Sequence, residues 1–96
     1  MEIHWSHFDQ LEDADRELVE RRLLELAREY PDLIDVQIVV SPSAGRRAMR
    51  EVRMTSLARG RQIVAAHEGE DVRLSLKYLL EAIDRELGLL NRRIRA

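Results

Sequence analysis

Leu33-Ile34-Asp35-Val36-Gln37-Ile38-Val39-Val40-Ser41 is the stretch on which the fold turns. Ile34, Val36, Ile38 and Val40 fall on one phase of a two-residue period, and Asp35 and Gln37 fall on the other. Successive side chains of a strand point to opposite faces, so the spacing predicts a strand with one apolar face. Pro31 stands before it, and Ser41-Pro42-Ser43-Ala44-Gly45 after it is loop chemistry. The rest of the chain has to cover that apolar face.

Upstream, Met1 to Ser6 alternates as well, with Ile3 and Trp5 on one side and Glu2 and His4 on the other. It reads as a short, half-buried strand. Between the two strands, Val19, Leu23, Leu26 and Tyr30 recur at helical spacing, which predicts a helix over 13–30. Glu12 or Asp13 opens it at the positive end of the helix dipole, and Pro31 closes it by disfavouring helical geometry in the residue before it.

Downstream, a third strand is expected over 47–57, with Val52 and Met54 inward and Glu51, Arg53 and Thr55 outward. Ala58-Arg59-Gly60-Arg61 reads as a hairpin turn, the glycine supplying the positive φ such turns require. A fourth strand follows over 62–68, with Ile63 and Ala65 inward and His67 in the same phase, as a hydrogen-bonded interior histidine. Val72, Leu76, Leu79, Ile83, Leu87, Leu90 and Ile94 form one stripe of a second helix over 71–93.

The order β-α-β-β-β-α predicts an α+β domain, a four-stranded sheet with both helices packed on one face. Strand 1 reaches strand 2 through a helix and should run parallel to it, whereas the shorter connections should give antiparallel pairs. The expected core is Ile3, Trp5, Val19, Leu23, Leu26, Ile34, Val36, Ile38, Val52, Ile63, Leu76, Leu79, Ile83 and Leu87. At 96 residues, one domain over 1–96 is expected.

Composition narrows the function. The absence of cysteine removes disulfides, thiolate zinc sites and a cysteine nucleophile, and fits a reducing, cytoplasmic setting. Met1-Glu2-Ile3-His4-Trp5 is not a basic segment followed by an apolar run, so no secretory signal is expected. Ser41, Ser43 and Ser56 have no base at recognisable spacing, and there is no phosphate-binding loop. Asp13, Asp15, Glu17 and Glu20 share a helix surface, which reads as a solvated acidic face and not a pair of catalytic carboxylates. His4, His7 and His67 do not form a ligand set with metal-site spacing. Neither an enzyme nor a metal or other cofactor is expected.

Charge supplies the functional lead. The net charge of −2 conceals a dipolar chain: residues 1–42 carry −7 and residues 43–61 carry +5. The basic segment holds Arg46, Arg47, Arg50, Arg53, Arg59 and Arg61, and hairpin pairing should bring several of these together. Arg92, Arg93 and Arg95 make the C-terminal end basic. Arginine pairs bidentately with phosphate, and clustered arginine is what a nucleic-acid backbone requires. Aromatic residues for base stacking are scarce, since Trp5 and Tyr30 fall on core phases, so any RNA contact should read backbone and shape. Leu74, Tyr78, Ala82 and Leu89 form a second apolar stripe on helix 2, suited to packing against helix 1 or to binding a protein.

The order and length of the elements, together with several local strings, resemble the short ribosome hibernation promoting factors, also called ribosome-associated inhibitor or sigma-54 modulation proteins. Ile3 and Trp5 match the inward residues of that family's first strand. Val19-Glu20-Arg21-Arg22-Leu23, followed by Leu26 and Tyr30, resembles its first helix, and Ile34 to Val40 its second strand. Glu51-Val52-Arg53-Met54, Gly60 and Glu70-Asp71 match its third strand, its turn and the entry to its second helix.

The resemblance implies a stress-responsive, RNA-binding protein that occupies the small ribosomal subunit and inhibits translation, without a membrane or small-molecule partner. It implies ribosomal RNA contacts through Arg21, Arg22 and Arg28 on helix 1 and Arg85 on helix 2, with Arg92 and Arg93 extending them. The pairing of ribosomes, which long members achieve with a further domain, is not implied. Ala82, Gly88, Leu89 and Leu90 stand where the family is often basic, and helix 1 is acidic, so the RNA face is diluted. The alternative is a protein-binding relative that keeps the fold and uses Leu74, Tyr78 and Leu89.

Overall fold

A computed structural model describes residues 1–6, 11–43 and 48–95, with backbone only for the last three. The elements are β1 (Glu2–Ser6), α1 (Asp13–Glu29), β2 (Leu33–Pro42), β3 (Arg50–Ala58), β4 (Arg61–Gly69) and α2 (Val72–Arg95). The sheet order is β1-β2-β3-β4, with β1 parallel to β2 and the other pairs antiparallel. The expected α+β architecture is the one observed. β3 starts at Arg50, three residues later than its alternation suggests, and Pro42 is the last residue of β2 and not loop.

Local chemistry accounts for the ends of the elements. Asp71 caps α2, its Oδ1 accepting the backbone N–H of Arg73 at 3.0 Å and of Leu74 at 3.4 Å. α1 opens on Glu12 without a side-chain cap, and acidic Asp13 and Asp15 favour its first turn. The turn between β3 and β4 holds Arg59 at φ 52° and Gly60 at φ 71°. Two consecutive positive φ values make the type of two-residue turn whose twist matches an antiparallel hairpin.

Both helices cover the same face of the sheet. Leu23, Leu26, Leu76, Leu79, Ile83 and Leu87 meet Val36, Ile38, Val52 and Met54 in one core, and Ile3, Trp5 and Ile63 pack at its edges. Ile34 is the exception to the expected core, since it is 54% exposed while Leu33 is buried. The register between β2 and β3 shifts between Leu33 and Asp35. Such a bulge inserts one extra residue, so Leu33 takes the inward position that unbroken alternation assigns to Ile34.

The second apolar stripe of α2 does not pack on α1 as a unit. Tyr78 lies against His67 of β4, with ring centroids 5.1 Å apart, and Leu89 sits beside Arg61, Gln62 and Ile63 at the same edge. Leu74 alone lines the groove between the helices. His67 Nδ1 is 2.7 Å from the Oγ of buried Ser75, so the histidine is hydrogen-bonded as expected, although it is half-buried and not fully interior.

Candidate nucleic-acid interface

Three contacts fix the two helices side by side. Arg73 Nε meets Asp15 Oδ1 at 3.0 Å near both N-termini. Further along, Arg22 Nη2 reaches Asp84 Oδ2 at 3.3 Å, and the Tyr30 hydroxyl donates to Asp84 Oδ1 at 3.4 Å. The helices are therefore parallel. Burial first, then the carboxylates of Glu29 and Asp84, raises the Tyr30 pKa above its ordinary value, which keeps this hydroxyl a donor.

Sequence spacing now sorts the arginines by face. Arg21 and Arg28 are seven residues apart, two helical turns, and both are exposed. Arg85 and Arg92 repeat that spacing on α2 and are exposed too. In each helix these positions lie opposite the buried stripe, so all four side chains leave the outer surface of the helix layer. None of the four has a carboxylate partner among the described residues. Lys77, exposed on α2 and lining the groove beside Leu18 and Leu74, adds a cation that attention to arginine runs overlooks. Glu17 and Glu81, exposed on the same layer, dilute the positive surface.

Arg22 is committed elsewhere. It is held between Glu25 Oε2 at 3.1 Å and Asp84 Oδ2 at 3.3 Å and serves to join the helices.

Among the described residues, the arginines of the basic segment are spread along the hairpin and not gathered at one place. Arg50 and Arg59 lie at opposite ends of β3, separated by roughly 30 Å of extended chain. Arg50 donates to the carbonyl of Met49 at 3.0 Å, near the N-terminal ends of the helices. Arg53 alternates with buried Val52 and Met54, so it points to the face of the sheet away from the helices, where it meets Glu51 Oε1 at 3.2 Å. Arg59 bonds Asp32 Oδ2 at 2.6 Å, and Arg61 is exposed beside Glu86 and Leu89. Arg59 and Arg61 flank Gly60 in the same turn, at the end of the sheet where α1 stops. His7, Phe8, Arg46 and Arg47, and the side chains of Arg93 and Arg95, lie outside the described residues.

The hydroxyls of Ser56 and Ser75 are both buried, so neither is open to a substrate. Ser56 Oγ is buried with no hydrogen-bond partner among the described residues, and Ser75 is spent on His67. No described helix is long and apolar enough to cross a membrane.

Two parallel helices over one face of a four-stranded mixed sheet, with Arg21, Arg28, Arg85 and Arg92 among exposed acids on the outer helical surface, define a small α+β domain. The chain belongs to the family described as Sigma 54 modulation protein / S30EA ribosomal protein, which it matches over residues 1–95. Its fold is shared with a ribosomal subunit interface protein from Coxiella burnetii, at a TM-score of 0.79 and 18% identity over 96% of this chain and 99% of that one. The Thermus thermophilus Protein Y N-terminal domain has the same fold, at a TM-score of 0.68 and 17% identity over 91% of this chain and 93% of that one. Among curated proteins, none matches the chain by sequence.

Proposed function

We propose that the chain is a ribosome-associated factor that binds the small subunit through ribosomal RNA phosphates and holds translation inactive under stress, acting without catalysis in the cytoplasm. The observation that carries this reading is the outward set Arg21, Arg28, Arg85 and Arg92, on two helices held parallel by Asp84 and Asp15, with no carboxylate partner among the described residues. Guanidinium groups left unpaired are available to phosphate, where each makes a charge-assisted and often bidentate contact. Membership of a family described by a ribosomal protein, and the shared fold of a ribosomal subunit interface protein, support the ribosome as the partner.

Within this reading Arg61 and Arg59 extend the basic surface at the hairpin end, and Arg53 belongs to the other face. The test is co-sedimentation of the purified protein with separated ribosomal subunits across a salt series. Binding to the small subunit that weakens steeply with salt is the expected result, because neutralising phosphates releases counterions. Salt-insensitive binding, or none, sets the reading aside.

A second reading rests on a separate observation. Leu74, Tyr78 and Leu89 are 43%, 46% and 41% exposed on α2, an apolar series that the fold leaves open. A relative that has exchanged RNA for a protein partner would use that surface, and Tyr78→Ala would then weaken partner binding while Arg21→Glu would not.

A further inference from the structure

We propose that Glu2, His4 and Asp35 form a binding site for a divalent transition cation of the zinc type, on the face of the sheet that the helices leave open. Glu2 and His4 are two residues apart on β1 and project from the same face. The parallel register sets Glu2 opposite Asp35 of β2, and the three side chains converge across the strand pair. His4 Nε2 lies 3.1 Å from Asp35 Oδ1 and 3.4 Å from Glu2 Oε2, and one ligand atom from each residue falls within 4.8 Å of the others.

These separations suit a shared metal. Ligands bound at about 2.0–2.1 Å in tetrahedral geometry stand roughly 3.3 Å from one another. The donor set also fits, since imidazole with carboxylates suits zinc and its neighbours in the first transition row. A second observation comes from Asp35. Its Oδ1 is buried and has no hydrogen-bond partner among the described residues, although His4 Nε2 is only 3.1 Å away. The two atoms are close without forming an aligned N–H···O bond. A buried acceptor without a donor is costly, and an ion is one of the few things that resolves it. The side chains of Glu2 and His4 are exposed, so a cation has an open path, and water can complete the coordination.

The site is independent of the helix layer, on the opposite face of the sheet. Its consequence is mechanical: a cation there clips the five-residue edge strand β1 to β2. The plain alternative is a His4 held between two carboxylates, with no affinity for metal.

Untagged full-length protein titrated with zinc chloride, followed by calorimetry and native mass spectrometry, separates the two. One zinc per chain is expected in the wild type. His4→Ala should weaken it by more than the roughly 10–100-fold that loss of an outer-shell partner costs, Asp35→Asn should weaken it too, and His67→Gln should leave it intact. Zinc should raise the unfolding temperature of the wild type and not of His4→Ala. His4 is exposed, so its replacement does not threaten folding. Absence of saturable binding, or undiminished binding by His4→Ala, overturns the proposal.

Discussion

The indole N–H of Trp5 donates to Glu20 Oε1 at 2.8 Å, across fifteen residues of sequence, and ties the edge strand β1 to helix α1. Arg16 stacks its guanidinium 5.7 Å from the centre of the same ring. The N-terminal strand is thus fixed to the helix layer by a polar bond as well as by the apolar edge of the core. Glu20→Ala should cost about 1 kcal/mol in urea unfolding, the usual net value of one such bond. Trp5 is the only tryptophan, so its fluorescence follows this junction directly. An emission spectrum and stability both unchanged in Glu20→Ala would show that the bond is not formed in solution.

Leu79 is 2% exposed at the centre of the α2 stripe. Leu79→Ala should lower stability by about 2–5 kcal/mol, the range for emptying a buried leucine site. Ile34→Ala, at the exposed position beside the bulge, should change it far less. Chemical denaturation of the two variants tests the bulge as well as the core, because unbroken alternation predicts similar losses for both.

Ser56 faces the core from β3 with its hydroxyl unpaired among the described residues. Ser56→Ala removes a buried polar group that costs roughly 1–3 kcal/mol when left unsatisfied. The variant should be as stable as the wild type or more so. A marked loss of stability would mean that the hydroxyl has a partner.

Charge reversal on the two surfaces should have unequal effects on ribosome binding. Arg21→Glu/Arg28→Glu removes two outward cations of the helix layer and should weaken binding, lowering the salt slope by about 0.7–0.9 for each phosphate that is no longer neutralised. In Arg53→Glu/Arg61→Glu, the weakening should come from Arg61. Arg53→Glu alone should leave binding nearly unchanged, since Arg53 lies on the opposite face and already pairs with Glu51. If the helix variant binds as the wild type does, the partner is not held by this layer, and the apolar series Leu74, Tyr78 and Leu89 becomes the surface to test.

The elements themselves are legible along the chain. The two-residue period of Val36, Ile38 and Val40, the helical stripe from Val72 to Leu90 and the turn at Arg59-Gly60 are local patterns, and each states its own secondary structure because side-chain direction repeats with the backbone. Their order then leaves few arrangements, and the observed sheet is the one that parallel pairing of β1 and β2 and two hairpin-like returns allow. The family resemblance is legible for the same reason, since it rests on the sequence of those elements.

What tertiary structure alone decided is which side chains share a surface. A bulge at Leu33 reversed the faces of Leu33 and Ile34, and no local pattern marks where a ladder slips by one residue. Among the described arginines of the basic run, β3 separates Arg50 at its start from Arg59 just past its end and turns Arg53 away from the helices. Arginines far apart in sequence, Arg21 with Arg28 and Arg85 with Arg92, came onto one layer because α1 and α2 lie parallel. Glu2, His4 and Asp35 met only through strand register. Periodicity is a property of one segment and survives in the sequence. Proximity between segments depends on register and packing, which are settled only when all the apolar faces are buried together.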